Sequence, residues 1–222
     1  MPLPSKRINN VDQVDTFSKE QEVIFSKSVL VSGIVRLTMK WGKKAATGYG
    51  LKKKLAEPVD LDLSLFACNA NYECPDYDCI NFFNHLVCLN GAIKHSPDAR
   101  DGGGEEYIDI DFARLPSKIS VLVATVTIFE GDDHLGMVDD AEIIVSYGNG
   151  GKSNCPLYDN PVLTNHKGAA FVVFEKREND EWALTVSPSL VEIGTNKNAE
   201  KLEHFCLYFG LEPKEIKRLY GC

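Results

Sequence analysis

The sequence predicts an all-β fold, a sandwich of two mainly antiparallel sheets with short helices, one of them C-terminal. Three observations predict it: apolar and polar residues alternate with a period of two in segment after segment, turn residues stand between those segments, and helical spacing is clear only near the chain's end. A period of two sends successive side chains to opposite faces, as a half-buried strand requires. Many short strands punctuated by Gly, Pro, Asn and Asp favour two packed sheets, and there are too few helical stretches for a βαβ array. A chain of 222 residues is long enough to bury the core of such a sandwich.

Residues 1–28 are polar and weakly periodic, and read either as a helix with Val14, Phe17, Gln21 and Ile24 on one side or as an adaptable extension. From Val29 the pattern becomes β. "VRLTMKW" places Val35, Leu37, Met39 and Trp41 on one face and Arg36, Thr38 and Lys40 on the other. "DLDLSLFA" sets Leu61, Leu63 and Leu65 against Asp60, Asp62 and Ser64, and "YIDIDF" sets Ile108, Ile110 and Phe112 against Tyr107, Asp109 and Asp111. "SVLVATVTIF" is apolar on both faces, the mark of a central strand covered on both sides. "AEIIVSY", "AAFVVFEK" and "EWALTVS" follow, with Asn179 and Asp180 as a hairpin turn between the last two. The spacing then turns helical, with Ala199, Leu202, Phe205, Cys206 and Phe209 on one face and Gly210 as the stop; Pro213 can open a second short helix with Ile216 and Leu219 inward. The domain boundaries read as an extension at 1–28, a sandwich domain at 29–213 and a helical tail at 214–222.

Charge and cysteine usage narrow the function. With 24 basic and 32 acidic side chains the net charge is -8, which repels a phosphate backbone, so no nucleic acid is expected as a partner. The basic run of Lys52, Lys53 and Lys54, with Lys43 and Lys44 before it, lacks interleaved aromatics and reads as a solvated loop. Lys6 and Arg7 are not followed by an apolar core, and no apolar run approaches the length of a membrane span, so a cytoplasmic location is expected. Seven scattered cysteines read as reduced thiols.

Several candidate sites lie among these residues. Cys79, Cys88 or Cys155 could be paired with His85, His95 or His166 for nucleophilic catalysis, but no local signature supports a pairing. "CNANYECPDYDC" offers Cys68, Cys74 and Cys79 to zinc, with Cys88 further on, yet it lacks the tight C-x-x-C knuckle, and burial of small core residues is the favoured reading. Gly102, Gly103 and Gly104 lead into a strand, so they are no phosphate loop opening a helix. No feature points to an enzyme.

The strongest local signal is "PDARDGGGEE". Hard divalent cations take about six to eight oxygen ligands, which acidic, glycine-rich loops supply from carboxylates and carbonyls. Asp98, Asp101, Glu105 and Glu106 could do so, although their spacing is not that of an EF-hand; a hydrated turn protecting a strand edge is the alternative. Asp109 and Asp111 share a face with Tyr107 and read as solvated. Asp132, Asp133, Asp139 and Asp140 form a second acidic cluster that reads as a hydrated connection.

The order of these pieces resembles the TerD family of tellurite-resistance and stress proteins. The resemblance rests on Trp41 after an alternating strand, "DLDLSLF" from Asp60, "NFFNHLVCLNGAIKHSPD" from Asn81, "EEYIDIDFARLP", "VATVTIF" from Val123, "FEKRENDEWAL" and the terminal "LEHFCLYFGLEP". It implies a two-sheet sandwich with calcium bound between loops at one end. The family's D-L-D-x-S strand is matched intact by Asp60, Asp62 and Ser64. Its aspartate after the tryptophan is Gly42 here, Asp98 keeps the leading aspartate of the loop, Ala99 replaces an asparagine, and Gly104, Glu105 and Glu106 stand for a final D-D-E. The resemblance thus implies calcium ligands Asp60, Asp62, Asp98, Asp101, Glu105 and Glu106, in a site that is single or weakened, since each lost carboxylate removes charge and oxygens. It further implies a non-enzymatic scaffold in a complex of stress-response proteins, with peripheral membrane association. Cyclic-nucleotide-binding relatives in the same superfamily make a small-ligand binder the alternative.

Overall fold

The computed structural model describes residues 5–9, 21–42, 60–99, 104–128, 134–138, 141–148, 150–156, 166–186 and 202–212. The strands are β1 (Ser5–Ile8), β2 (Glu22–Phe25), β3 (Val35–Trp41), β4 (Leu61–Cys68), β5 (Ile80–Asn81), β6 (Val87–Cys88), β7 (Ile93–His95), β8 (Gly104–Ile110), β9 (Val121–Ile128), β10 (Glu142–Tyr147), β11 (Gly151–Pro156), β12 (Gly168–Lys176) and β13 (Trp182–Val186). The described residues also include the α-helices α1 (Lys27–Leu30) and α2 (Leu202–Tyr208) and several single 3-10 turns. The strands form one sheet in the order β1-β2-β13-β12-β9-β4-β5 and another in the order β11-β10-β3-β8-β7-β6. Every pairing is antiparallel except that of β1 with β2. The expected all-β architecture is the observed one.

Sequence pattern and burial agree along the long strands. β9 lies between β12 and β4 and is buried along its whole length, as its two apolar faces demand. In β8 the inward residues are Glu106, Ile108 and Ile110, while Glu105, Tyr107 and Asp109 point outward. The outward face is tied by charge: Arg36 donates to both carboxylate oxygens of Asp109 at 2.6 and 2.8 Å, and its guanidinium lies over the Tyr107 ring. Asp111 caps the following turn by accepting from the Ala113 N–H. Asn179 and Asp180 both adopt positive φ, the backbone that a two-residue hairpin turn requires, and join β12 to β13.

The N-terminal segment departs from its reading as a helix or adaptable extension. Residues 5–8 and 22–25 are strands that extend the first sheet beyond β13, with Ile8, Val23 and Phe25 in the core. Four residues give too few periods to distinguish a strand from a helix, so tertiary pairing decides. Ser28 and Val29 belong to α1, and the alternating strand begins only at Val35. Val14, Phe17 and Ala199 lie outside the described residues, as do Pro213, Ile216 and Leu219 of the expected second terminal helix.

α2 covers the outer face of the first sheet, where Phe66 meets Phe209 at 4.8 Å and Phe205 at 6.1 Å between ring centroids. Gly210 ends the helix with φ +79, and the Leu211 N–H bonds the Cys206 carbonyl. Among the described residues no helix is long and apolar enough to cross a membrane.

Candidate metal centre

Strand alternation places Asp60 and Asp62 on the same side of β4, and the loop after β7 brings Asp98 to them. One carboxylate oxygen from each of the three lies within 4.8 Å of the other two. Asp62 is buried, and Asp60 and Asp98 are half-buried, each with its Oδ1 shielded from solvent. Oxygens that share a calcium ion at 2.3–2.6 Å can be at most about 5 Å apart, so this spacing admits a common ion. A hard oxygen donor set suits calcium, magnesium or manganese and disfavours soft metals.

Glu106 fixes the two halves of this cluster. Its side chain is buried and points inward from β8; Oε2 accepts from the Leu63 N–H at 2.9 Å and Oε1 from the Ala99 N–H at 3.2 Å. One carboxylate therefore grips the residue after Asp62 and the residue after Asp98, setting the distance between strand and loop. Burial pushes the Glu106 carboxyl up to about 7; the two backbone N–H groups work against that rise, and the charges of Asp98 and Asp60 add to it.

His95 completes the seam. Its Nε2 lies 2.8 Å from the Leu63 carbonyl and its Nδ1 2.7 Å from the Ser96 carbonyl, with Glu106 at 4.0 Å. Ser96 ties the loop to β8, accepting from the Tyr107 N–H through its hydroxyl and donating its own N–H to the Tyr107 carbonyl. Leu63 thus has both backbone groups facing side chains, Glu106 at its N–H and His95 at its carbonyl, where β5, only two residues long, no longer covers β4.

The six expected ligands separate. Asp60, Asp62 and Asp98 converge, and Glu106 stands behind them. Glu105 takes the opposite face of β8, where it pairs with Lys40 at 2.8 Å, because successive strand residues point to opposite sides. Asp101 lies outside the described residues, as do Asp132, Asp133, Asp139 and Asp140. Glu106 was readable as inward from its parity with Ile108 and Ile110. His95 was missed as a seam residue because β7 is too short to show a period.

Among the described residues no three cysteine and histidine side chains gather as metal ligands, and the Cys155 side chain lies outside them. Cys68, Cys74, Cys79 and Cys88 are buried thiols, and Cys79 points at Asp76. His85 lies against the Ile80 carbonyl and stacks on Tyr77.

Residues 15–203 match the TerD domain family model. The chain belongs to the TerD family. A protein of Bacillus subtilis (strain 168), YceE, is 34% identical over 112 residues, covering 46% of this chain and 58% of that protein. General stress protein 16U of the same organism is 30% identical over 88 residues (37% and 46%), and the tellurium resistance protein TerD of Serratia marcescens 25% over 118 residues (52% and 57%). The chain spans about half the length of the curated relatives it matches. Among solved structures, a protein of unknown function superposes with a TM-score of 0.55 at 20% identity, covering 72% of this chain and 88% of that one. A homologue of telluride resistance protein TerD from Streptomyces coelicolor A3(2) gives 0.50 at 17%, covering 69% and 87%. These two likenesses concern the fold.

In this TerD-family chain the start of β8 is sterically tight: a Cβ built on Gly104 would lie 3.1 Å from the Trp41 ring and 3.2 Å from the Ala99 Cβ. Gly104 therefore sits between Trp41 and Ala99 in an apolar corner beside the cluster.

Proposed function

We propose that the chain is a non-enzymatic stress-response module that binds one calcium ion through Asp60, Asp62 and Asp98. The carrying observation is the convergence of these three carboxylates, with Glu106 holding the backbone beside two of them. When bound, the ion would neutralise charges that now repel one another and fasten the Asp98 loop to β4. The relatives named as a general stress protein and a tellurium resistance protein support a role in stress or tellurite resistance. On this reading the module works in the cytoplasm by presenting a calcium-set surface to other proteins of a stress-response complex, with peripheral association at a membrane.

Calorimetry with calcium at neutral pH tests the reading. One equivalent of heat is expected in the native chain, lost in Asp62→Asn and retained in Glu105→Gln, whose parent carboxylate faces Lys40. The proposal fails if calcium gives neither heat nor a shift in melting temperature. A shift with a cyclic nucleotide and none with calcium would move the function to small-ligand binding.

A further inference from the structure

At the Cys68 end of β4, away from the acidic cluster, two thiols face each other. Cys68 ends β4 and Cys74 follows a tight turn, with their sulfurs 3.6 Å apart and both side chains buried. The turn is closed from within: the Asn69 N–H donates to the Glu73 carbonyl at 2.9 Å, while the Asn69 side chain accepts from the N–H groups of Asn71 and Glu73. Cys68 and Cys74 flank this closed pair on either side of the turn. A disulfide's S–S bond is about 2.0 Å long, so the sulfurs need approach by only about 1.5 Å to reach bonding distance.

We propose that Cys68 and Cys74 are a reversible redox pair, oxidised to a disulfide by small hydroperoxides. Cys74 is the more accessible of the two, at 5% against 0% exposure, and takes the first step. Its sulfur attacks the peroxide, the O–O bond breaks, the thiol proton leaves with the departing oxygen as an alcohol or water, and Cys74 becomes a sulfenic acid. Cys68 then attacks that sulfur, the S–O bond breaks, and a molecule of water leaves carrying the Cys68 proton. Two thiols lose two electrons and the hydroperoxide gains them.

The hydrogen bond with Cys68 and burial hold the Cys74 thiol far above the usual range, so only a small thiolate fraction attacks the peroxide and the pair oxidises slowly. The Cys74 N–H also donates to the Phe209 carbonyl at 2.7 Å, so the pair sits where the end of α2 is anchored.

The test treats the full chain with hydrogen peroxide, alkylates it in denaturant and maps the peptides. The expected result is a disulfide between Cys68 and Cys74 as the main cysteine pair, reversed by dithiothreitol. Dimedone should label Cys74 in a Cys68→Ser variant whose fold is checked by circular dichroism. Native-chain mapping needs no variant: recovery of both thiols alkylated after other cysteines have oxidised overturns the proposal. So does a preferred bond to Cys79 or Cys206. The same pair preference in urea would also overturn it, because the fold would then play no part.

Discussion

Glu106 makes the candidate centre sensitive to pH in a direction opposite to that of a surface carboxylate. Its folded value of about 7 lies above the ordinary range, so the unfolded chain ionises first. Folding is then favoured most below about pH 4.5, where both states hold the proton, and that contribution is lost as pH rises towards 7. The shift corresponds to about 3 kcal/mol. Urea unfolding without metal should show stability falling between pH 5 and 7, a trend that Glu106→Gln removes. Saturating calcium should flatten the native trend by stabilising the carboxylate. Retention of the full trend in the variant would place its source elsewhere.

Much of this residue-scale picture is legible in the sequence, because alternation assigns faces. Asp60 with Asp62, and Glu106 with Ile108 and Ile110, follow from parity alone. Parity also separates Glu105 from Glu106, which a reading of the loop by charge alone groups together. What alternation leaves out is distance. Asp98 meets β4 only because Glu106, Ser96 and His95 fasten one sheet to the other, and those contacts join residues far apart in the chain.

At the scale of elements, α2 is held by aromatic packing against β4. Phe209→Ala should cost about 3–5 kcal/mol by opening a cavity over Phe66, whereas Tyr208→Ala, with 58% of its parent exposed, should stay within about 0.5 kcal/mol. Thermal melts of the two variants measure the contrast, and equal losses would mean that the helix is held by other contacts. This helix was readable from its spacing because its apolar residues fall on one face. β5, β6 and β7 were not, since two or three residues carry no period and owe their strand character to their neighbours.

For the molecule as a whole, the N-terminal strands finish the first sheet. β1 and β2 cover the edge of β13 and bury Ile8, Val23 and Phe25, with Arg7 paired to Glu181 and Arg177 to Glu22. Removing residues 1–26 should expose that edge and lower solubility as well as stability, because an uncovered strand is a template for pairing between chains. Size-exclusion chromatography should show larger species for the shortened chain; a monodisperse, equally stable product would make the segment dispensable. Calcium acts at the same scale: an ion that binds only the folded state at about 100 times its dissociation constant adds about 2.7 kcal/mol.

The seam at Leu63 supplies a built-in gauge of the centre. Its amide proton sits in a strand yet is held by a carboxylate, so its lifetime against deuterium follows the state of Glu106 rather than the ladder between strands. A single resonance in a nuclear magnetic resonance spectrum would therefore report protonation and metal loading from inside the protein, without a label or a substitution.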